Sequence, residues 1–250
     1  MPSKSERGPR RHQEIADELR AKILSGELAP GSKIEGENGL MERHAAARST
    51  VRQALDALRA EGLIESRQGV GVTVRAFRPI RRPAVQRLSS EVWHAGRSIW
   101  DVDLEDRPRR VEVDVNEDVD APDYVVQLLG SDESMCCRSR RFYVEERLIQ
   151  TAVSYVPMSL AAGTAITQAD TGPGGMYARL AEIGHAPARF KEEVRARMPT
   201  PQEAAEFGLS PGTPVFQIMR IAADQNDRLV EVNEMTLDGS NYILEYVFSS

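Results

Sequence analysis

Apolar residues are spaced differently in the two halves of this chain, and each spacing predicts a different kind of element. From His12 to Leu24, Ile15, Leu19 and Ile23 recur every fourth position, the stripe of an amphipathic helix. Leu28-Ala29-Pro30-Gly31 reads as a turn, and Glu37–Ala45 as a short helix that turns Leu40 and Met41 inward. Val51, Leu55 and Leu58, with Ala54 in the same stripe, predict a third helix. Gly62 follows its last apolar turn and can take the left-handed conformation that stops a helix. Leu63-Ile64-Glu65-Ser66 and Val72-Thr73-Val74-Arg75 then flank Arg67-Gln68-Gly69-Val70-Gly71, two β-prone runs around a glycine-bearing turn.

The order helix, turn, helix, short turn, helix, hairpin is that of a winged helix-turn-helix. Its third helix opens with Arg48, Ser49, Thr50, Arg52 and Gln53, where a helix entering the major groove carries its base- and phosphate-reading side chains. In the wing, Gly69 allows backbone to approach a phosphate closely, while Arg67 brings charge and Gln68 a hydrogen-bonding group. The plain alternative for Arg48 and Arg52 is that they form ion pairs on a helix surface. Ala47 offers no side-chain oxygen to cap this helix, and Gly39 interrupts the second one. Each costs about 1 kcal/mol.

Beyond residue 88 the period shortens. Val111-Glu112-Val113-Asp114-Val115 alternates strictly, as a strand does. Further strands are expected at Met135–Val144, Ile149–Val156, Arg189–Met198, Val215–Asp224, Leu229–Leu237 and Tyr242–Phe248. Helices are expected at Ala121–Leu129, Gly174–Gly184 and Pro201–Phe207, the last capped by Thr200 and ended by Gly208. The fold class is therefore α+β, with an antiparallel sheet of about six strands. The expected boundaries are a DNA-binding domain at 1–76, a linker at 77–88 and a second domain at 89–250. Two prolines in Phe77–Pro83 suggest the linker, and four basic residues across 78–87 suggest that it tracks phosphates.

Charge changes the picture more than composition does. The chain of 250 residues carries a net charge of −6, unpromising for a nucleic-acid binder. Yet residues 1–87 hold 17 Lys and Arg against 11 Asp and Glu, while residues 88–250 hold 15 against 27. A basic head on an acidic body fits one domain that faces DNA and one that does not. No apolar run approaches a membrane span or a secretory signal, so a cytoplasmic location is expected. Cys136 and Cys137 are adjacent and the four histidines scattered, so neither a metal site nor a cofactor is expected. Trp93 and Trp100 read as core aromatics. Gly172-Pro173-Gly174-Gly175 lacks the lysine of a phosphate-cradling loop and reads as a mobile cover for a pocket.

Several ordered motifs match a known family. Pro30-Gly31, Glu37, Arg48, Thr50-Val51-Arg52, Glu61-Gly62-Leu63 and Arg67-Gln68-Gly69-Val70-Gly71 resemble the GntR family of bacterial transcription regulators. Ile34-Glu35-Gly36-Glu37 departs from that family's Leu-Pro-Ser-Glu, and Ala46-Ala47 stands where Val-Ser is usual. Residues from about 85 to 250 resemble the UTRA effector-binding domain that marks the HutC subfamily, a fold similar to chorismate lyase. The matching segments are Arg138-Ser139-Arg140-Arg141, Ser154-Tyr155-Val156-Pro157, Pro201-Gln202-Glu203-Ala204, Leu209–Val215 and Val230-Glu231-Val232-Asn233.

Arg138 and Arg140 lie two apart on a strand, so both should leave one face and form a fork for a phosphate or carboxylate, with Arg141 on the other face. The plain alternative is that they pair with the domain's own carboxylates. The resemblance implies that Ser154 and Tyr155 join the anion site and that Glu231 bonds ligand hydroxyls. Thr151-Ala152-Val153 lacks a glutamate that sugar-phosphate binders often carry, which argues against an amino-sugar phosphate. The expected protein is thus a homodimeric bacterial regulator, a repressor and not an enzyme. It would read an imperfect palindrome in double-stranded DNA and respond to a small anionic effector. Alternatives are a DNA-anchored enzyme of chorismate-lyase type and a DNA-organising protein without an effector.

Overall fold

In the computed structural model, which describes residues 7–67, 69–75, 80–104 and 107–248, the chain divides into two compact units. One joins residues 1–78 with 198–213, and the other joins 79–197 with 214–250.

The first unit is the expected head. Helices α1 (Arg7–Leu24), α2 (Glu37–His44) and α3 (Arg48–Ala60) are followed by the wing strands β1 (Ile64–Arg67) and β2 (Gly71–Val74). The stripes converge as their periods require. Ile15, Leu19, Leu40, Val51, Ala54, Leu55, Leu58, Ile64 and Val74 form one buried cluster. Gly62 has φ +71°, the left-handed state that lets the chain leave α3 and enter the wing. The wing pairs antiparallel from Ile64–Val74 to Arg67–Gly71. Gln68 lies outside the described residues.

The second unit begins earlier than expected. The expected linker at 77–88 starts with residues outside the described set, but its remainder is folded. Strand β3 (Ile80–Pro83) pairs parallel with the last strand, and a 3₁₀ turn spans Gln86–Leu88. Arg82 and Arg87, expected to track phosphates, are 0% and 2% exposed. A four-residue strand that ends in proline and holds two arginines carries little periodic signal, which is why this segment resembles a linker in sequence.

Short helices α4 (Ser90–His94) and α5 (Asp101–Leu104) lead into strand β4 (Arg109–Val119). Helix α6 (Asp123–Leu129), strands β5 (Met135–Val144) and β6 (Arg147–Pro157), and helices α7 (Met158–Ala161) and α8 (Gly175–Glu182) follow. Then come β7 (Pro187–Arg197), α9 (Pro201–Phe207), β8 (Val215–Asp224), β9 (Leu229–Asp238) and β10 (Tyr242–Glu245).

The main sheet has six strands in the order β4-β5-β6-β9-β8-β7, and every adjacent pair is antiparallel. The strand expected at Tyr242–Phe248 is shorter and does not join this sheet. It pairs with β3. Residues 198–213, expected within the second domain, group instead with the head. Their helix α9 has the expected Thr200 cap, with the reciprocal bond from Glu203 completing a capping box.

Candidate functional site

The head presents α3 as its reading surface. Burial follows the helical stripe, so Val51, Ala54, Leu55 and Leu58 are inside while Arg48, Ser49, Arg52 and Gln53 are exposed and Thr50 is half-buried. Both arginines lean on α2. Arg48 Nη2 donates to Asn38 Oδ1 at 3.0 Å, and Arg52 Nε donates to Glu37 Oε1 at 3.1 Å. Their side chains remain 56% and 61% exposed, so these pairs are weak and a phosphate can displace them. Ala47 at the N-cap makes no side-chain bond, as its chemistry requires. Gly69, with φ +76°, is exposed at the wing tip, next to Arg67 at the end of β1.

The second unit holds a cavity of about 260 Å³ over one face of the sheet. Strand register explains its chemistry. Reading across the sheet, Arg138 stands opposite Ser154, Ser154 opposite Asn233, Asn233 opposite Arg220 and Arg220 opposite Glu192. Polar residues from five strands thus form one transverse row. One step of two residues along the strands, about 7 Å away, the next row is Val113, Arg140, Ala152, Met235 and Ile218. The row beyond is Val111, Phe142, Gln150, Leu237 and Phe216. Chemistry therefore changes from charged to apolar along the strands.

Glu231 is fully buried and fully used. It accepts from Ser154 Oγ at 2.5 Å and from Tyr177 Oη at 2.5 Å, and Arg220 Nη2 lies 3.6 Å away. Burial pushes the Tyr177 hydroxyl well above its ordinary range, so it stays a donor. Arg140 donates to Ser154, and burial pulls its guanidinium down to about 10, still charged at neutral pH. Its Nε is buried with no hydrogen-bond partner, as are Arg220 Nε and Asn233 Oδ1. Unmet polar atoms lining a cavity are what a ligand would satisfy.

The sequence-predicted residues are not all brought together. Arg138, Arg140 and Glu231 line the cavity, and Ser154 bridges the last two. Arg138 does not form a fork with Arg140, because its guanidinium donates to the carbonyls of Ile166, Gln168 and Ala169. Tyr155 is displaced altogether. Ala152, Ser154 and Val156 bury one face of β6, so Tyr155 leaves the other and lies beside Tyr124 and Glu234.

Other lining residues were missed. Tyr177 and Arg220 carried no motif, Asn233 was quoted only as the end of a family segment and Trp100 only as a core aromatic; Arg220 is a lone charge in the apolar run Ile218–Ala223 and so a readable anomaly. Trp93 and Trp100 are buried as expected, at 2% and 5%, and Trp100 packs on Phe142 with centroids 4.7 Å apart. The Gly172–Gly175 segment borders the cavity through Gly174 and Gly175. Gly174 has φ +80°, and a Cβ there would meet the Trp93 carbonyl at 2.5 Å.

Two family models match successive parts of the chain. Residues 11–74 match the model of bacterial regulatory proteins of the gntR family, and residues 107–243 match that of the UTRA domain. An uncharacterized HTH-type transcriptional regulator of Streptomyces coelicolor is 27% identical over 248 residues, covering 94% of this chain and 91% of that protein. The HTH-type transcriptional regulator GgaR of Escherichia coli K12 is 27% identical over 224 residues, 87% of this chain and 82% of its own. Among solved structures, PhnF from Mycobacterium smegmatis superposes with a TM-score of 0.55 at 21% identity, over 94% of this chain and 99% of that one. At that identity the likeness shows the fold. With a UTRA model over more than half its length behind a gntR head, the chain belongs to the GntR-type helix-turn-helix transcriptional regulators that carry a UTRA effector-binding domain.

Proposed function

We propose that this protein is a cytoplasmic repressor of the HutC type that acts as a homodimer on an imperfect palindrome. In this reading Arg48, Ser49, Thr50, Arg52 and Gln53 face the major groove, and Arg67, Gln68 and Gly69 of the wing lie against the flanking backbone. The effector is a small anion held over Arg140, Arg220, Ser154 and Glu231. It changes DNA affinity by preferring one arrangement of the protein, without any catalysed reaction or cofactor. One contrast carries the reading. Arg48 and Arg52 of the head are exposed and loosely paired, whereas Arg138, Arg140 and Arg220 of the second unit line a cavity.

The test uses a duplex selected from random sequence by the full-length protein. Log affinity should fall steeply with log salt, because several phosphates are neutralised. Arg52→Ala should lose binding by at least about tenfold per half-site while its melting temperature and sedimentation stay unchanged. Salt-independent binding, or an Arg52→Ala protein that still footprints the selected duplex, would defeat this reading.

A further inference from the structure

The cavity's charge balance and row order go further than "an anion". Five arginines are gathered in and beneath it: Arg82, Arg87, Arg138, Arg140 and Arg220. Three carboxylates answer three of them. Arg87 meets Asp103 at 2.9 Å, Arg82 meets Glu192 at 2.6 Å, and Arg220 lies 3.6 Å from Glu231. Arg138 is answered by main-chain carbonyls. That leaves Arg140, whose bonded partner is a neutral hydroxyl and whose Nε has none. Exposed Arg109, Arg110 and Asp170 border the mouth, where water screens them. Carbonyls carry no charge, so among the described residues these guanidiniums exceed the carboxylates by two; Arg138 has a set of carbonyl acceptors, whereas Arg140 has neither a carboxylate nor an acceptor for its Nε.

The surface beside that charge is not built for a sugar. Next to Arg140 stand Val113, Ala152 and Met235. One row further come Val111 and Phe142, with Trp100 packed on Phe142. Gln150 is the one amide in these rows, and its Oε1 already accepts from Tyr242 Oη at 3.1 Å. Ligand hydroxyls placed here would give up water for apolar side chains, a penalty without compensation.

We infer that the effector is a small monocarboxylate with an aryl or branched alkyl body. Its carboxylate accepts from Arg140 Nε and the neighbouring Arg220 Nε, both buried without a partner. Its body lies along the strands over Val113, Ala152, Met235 and Phe142 beneath Trp100. This rests on the proposed effector cavity and narrows what it admits.

The experiment compares phenylacetate and 4-methylpentanoate with glucose 6-phosphate and inorganic phosphate. Calorimetry and thermal shift are run on the full-length protein, its Arg140→Gln variant and its Val113→Thr variant. The carboxylates should bind and raise the melting temperature while the two phosphates do not. Arg140→Gln should weaken carboxylate binding by at least about tenfold, the loss of one charge-assisted hydrogen bond. Val113→Thr, which keeps the shape and adds a hydroxyl on a half-buried strand, should weaken it by about three- to tenfold. Without ligand, DNA binding and the unfolding transition of the second unit should be unchanged in both variants, and the latter shows that the cavity is folded.

Glucose 6-phosphate binding that needs Arg140, with no binding of phenylacetate or 4-methylpentanoate, would overturn the monocarboxylate and keep the cavity as the effector site. Carboxylate binding that neither substitution weakens would overturn the placement. Binding of none of the probes at millimolar concentration would overturn the inference, while the DNA test of the proposed function stands apart.

Discussion

Arg52 in the head and Arg87 in the second unit are the same residue in opposite physical situations. Arg52 is 61% exposed on its side chain, and its partner Glu37 is 33% exposed. Water and salt compete for that pair at every moment, so it positions the guanidinium at little cost and releases it readily. Arg87 is 2% exposed, its Nε donates to Asp103 Oδ1 at 3.1 Å, and the Asp103 side chain is fully buried. There no water replaces a lost partner. Exposed arginines suit a protein that must exchange its own carboxylates for phosphates. Buried ones suit a wall that must hold its shape around a ligand.

The contrast is sharpest at Asp103. Asp103→Ala leaves Arg87 charged in a site without solvent, a loss of about 3–5 kcal/mol. The unfolding transition of the second unit should move to lower temperature in calorimetry while the head retains its own. A shift under 1 kcal/mol would show that water reaches Arg87 and that the two environments differ less than their geometry implies.

A smaller effect is expected at the cap of α3. Ala47 leaves the first amides of the reading helix without a side-chain acceptor, so Ala47→Ser should stabilise the head by about 1 kcal/mol. A raised head transition in urea or thermal unfolding checks this. DNA affinity should rise or hold, since the serine lies ahead of Arg48 and removes none of the reading residues.

Smallest of all should be Glu37→Gln, which removes the carboxylate shared by Arg48 and Arg52. Stability should change by less than about 0.5 kcal/mol. DNA affinity should increase modestly at low salt, and the gain should shrink as salt rises. Destabilisation on the scale of Asp103→Ala would place Arg52 with the structural arginines.

Most of the head was legible because its information is local. Helical stripes at Ile15, Leu19, Val51, Leu55 and Leu58 fix which faces meet, and Gly62 marks where α3 must stop. The strands of the large sheet were legible for the same reason, since alternation belongs to each segment alone. What failed was non-local. Ile80–Pro83 was read as linker because its partner, Tyr242–Glu245, lies at the far end of the chain. Tyr155 was assigned to the site by resemblance, as part of Ser154-Tyr155-Val156-Pro157, although the two-residue period sends it to the face opposite Ser154.

By itself, the sequence determined the order of the head's elements and of the main sheet's strands, the basic head and acidic body, and the family. Each follows from composition, periodicity or ordered motifs within short stretches. Only the tertiary structure decided which charges share a cavity. Arg138, Ser154, Glu192, Arg220 and Asn233 come from five strands, and the register between those strands aligns them in one row. A slip of one residue on any strand would turn its member to the other face. The same register lets Arg138 be met by backbone carbonyls and leaves Arg140 open, a distinction no spacing of two residues can express.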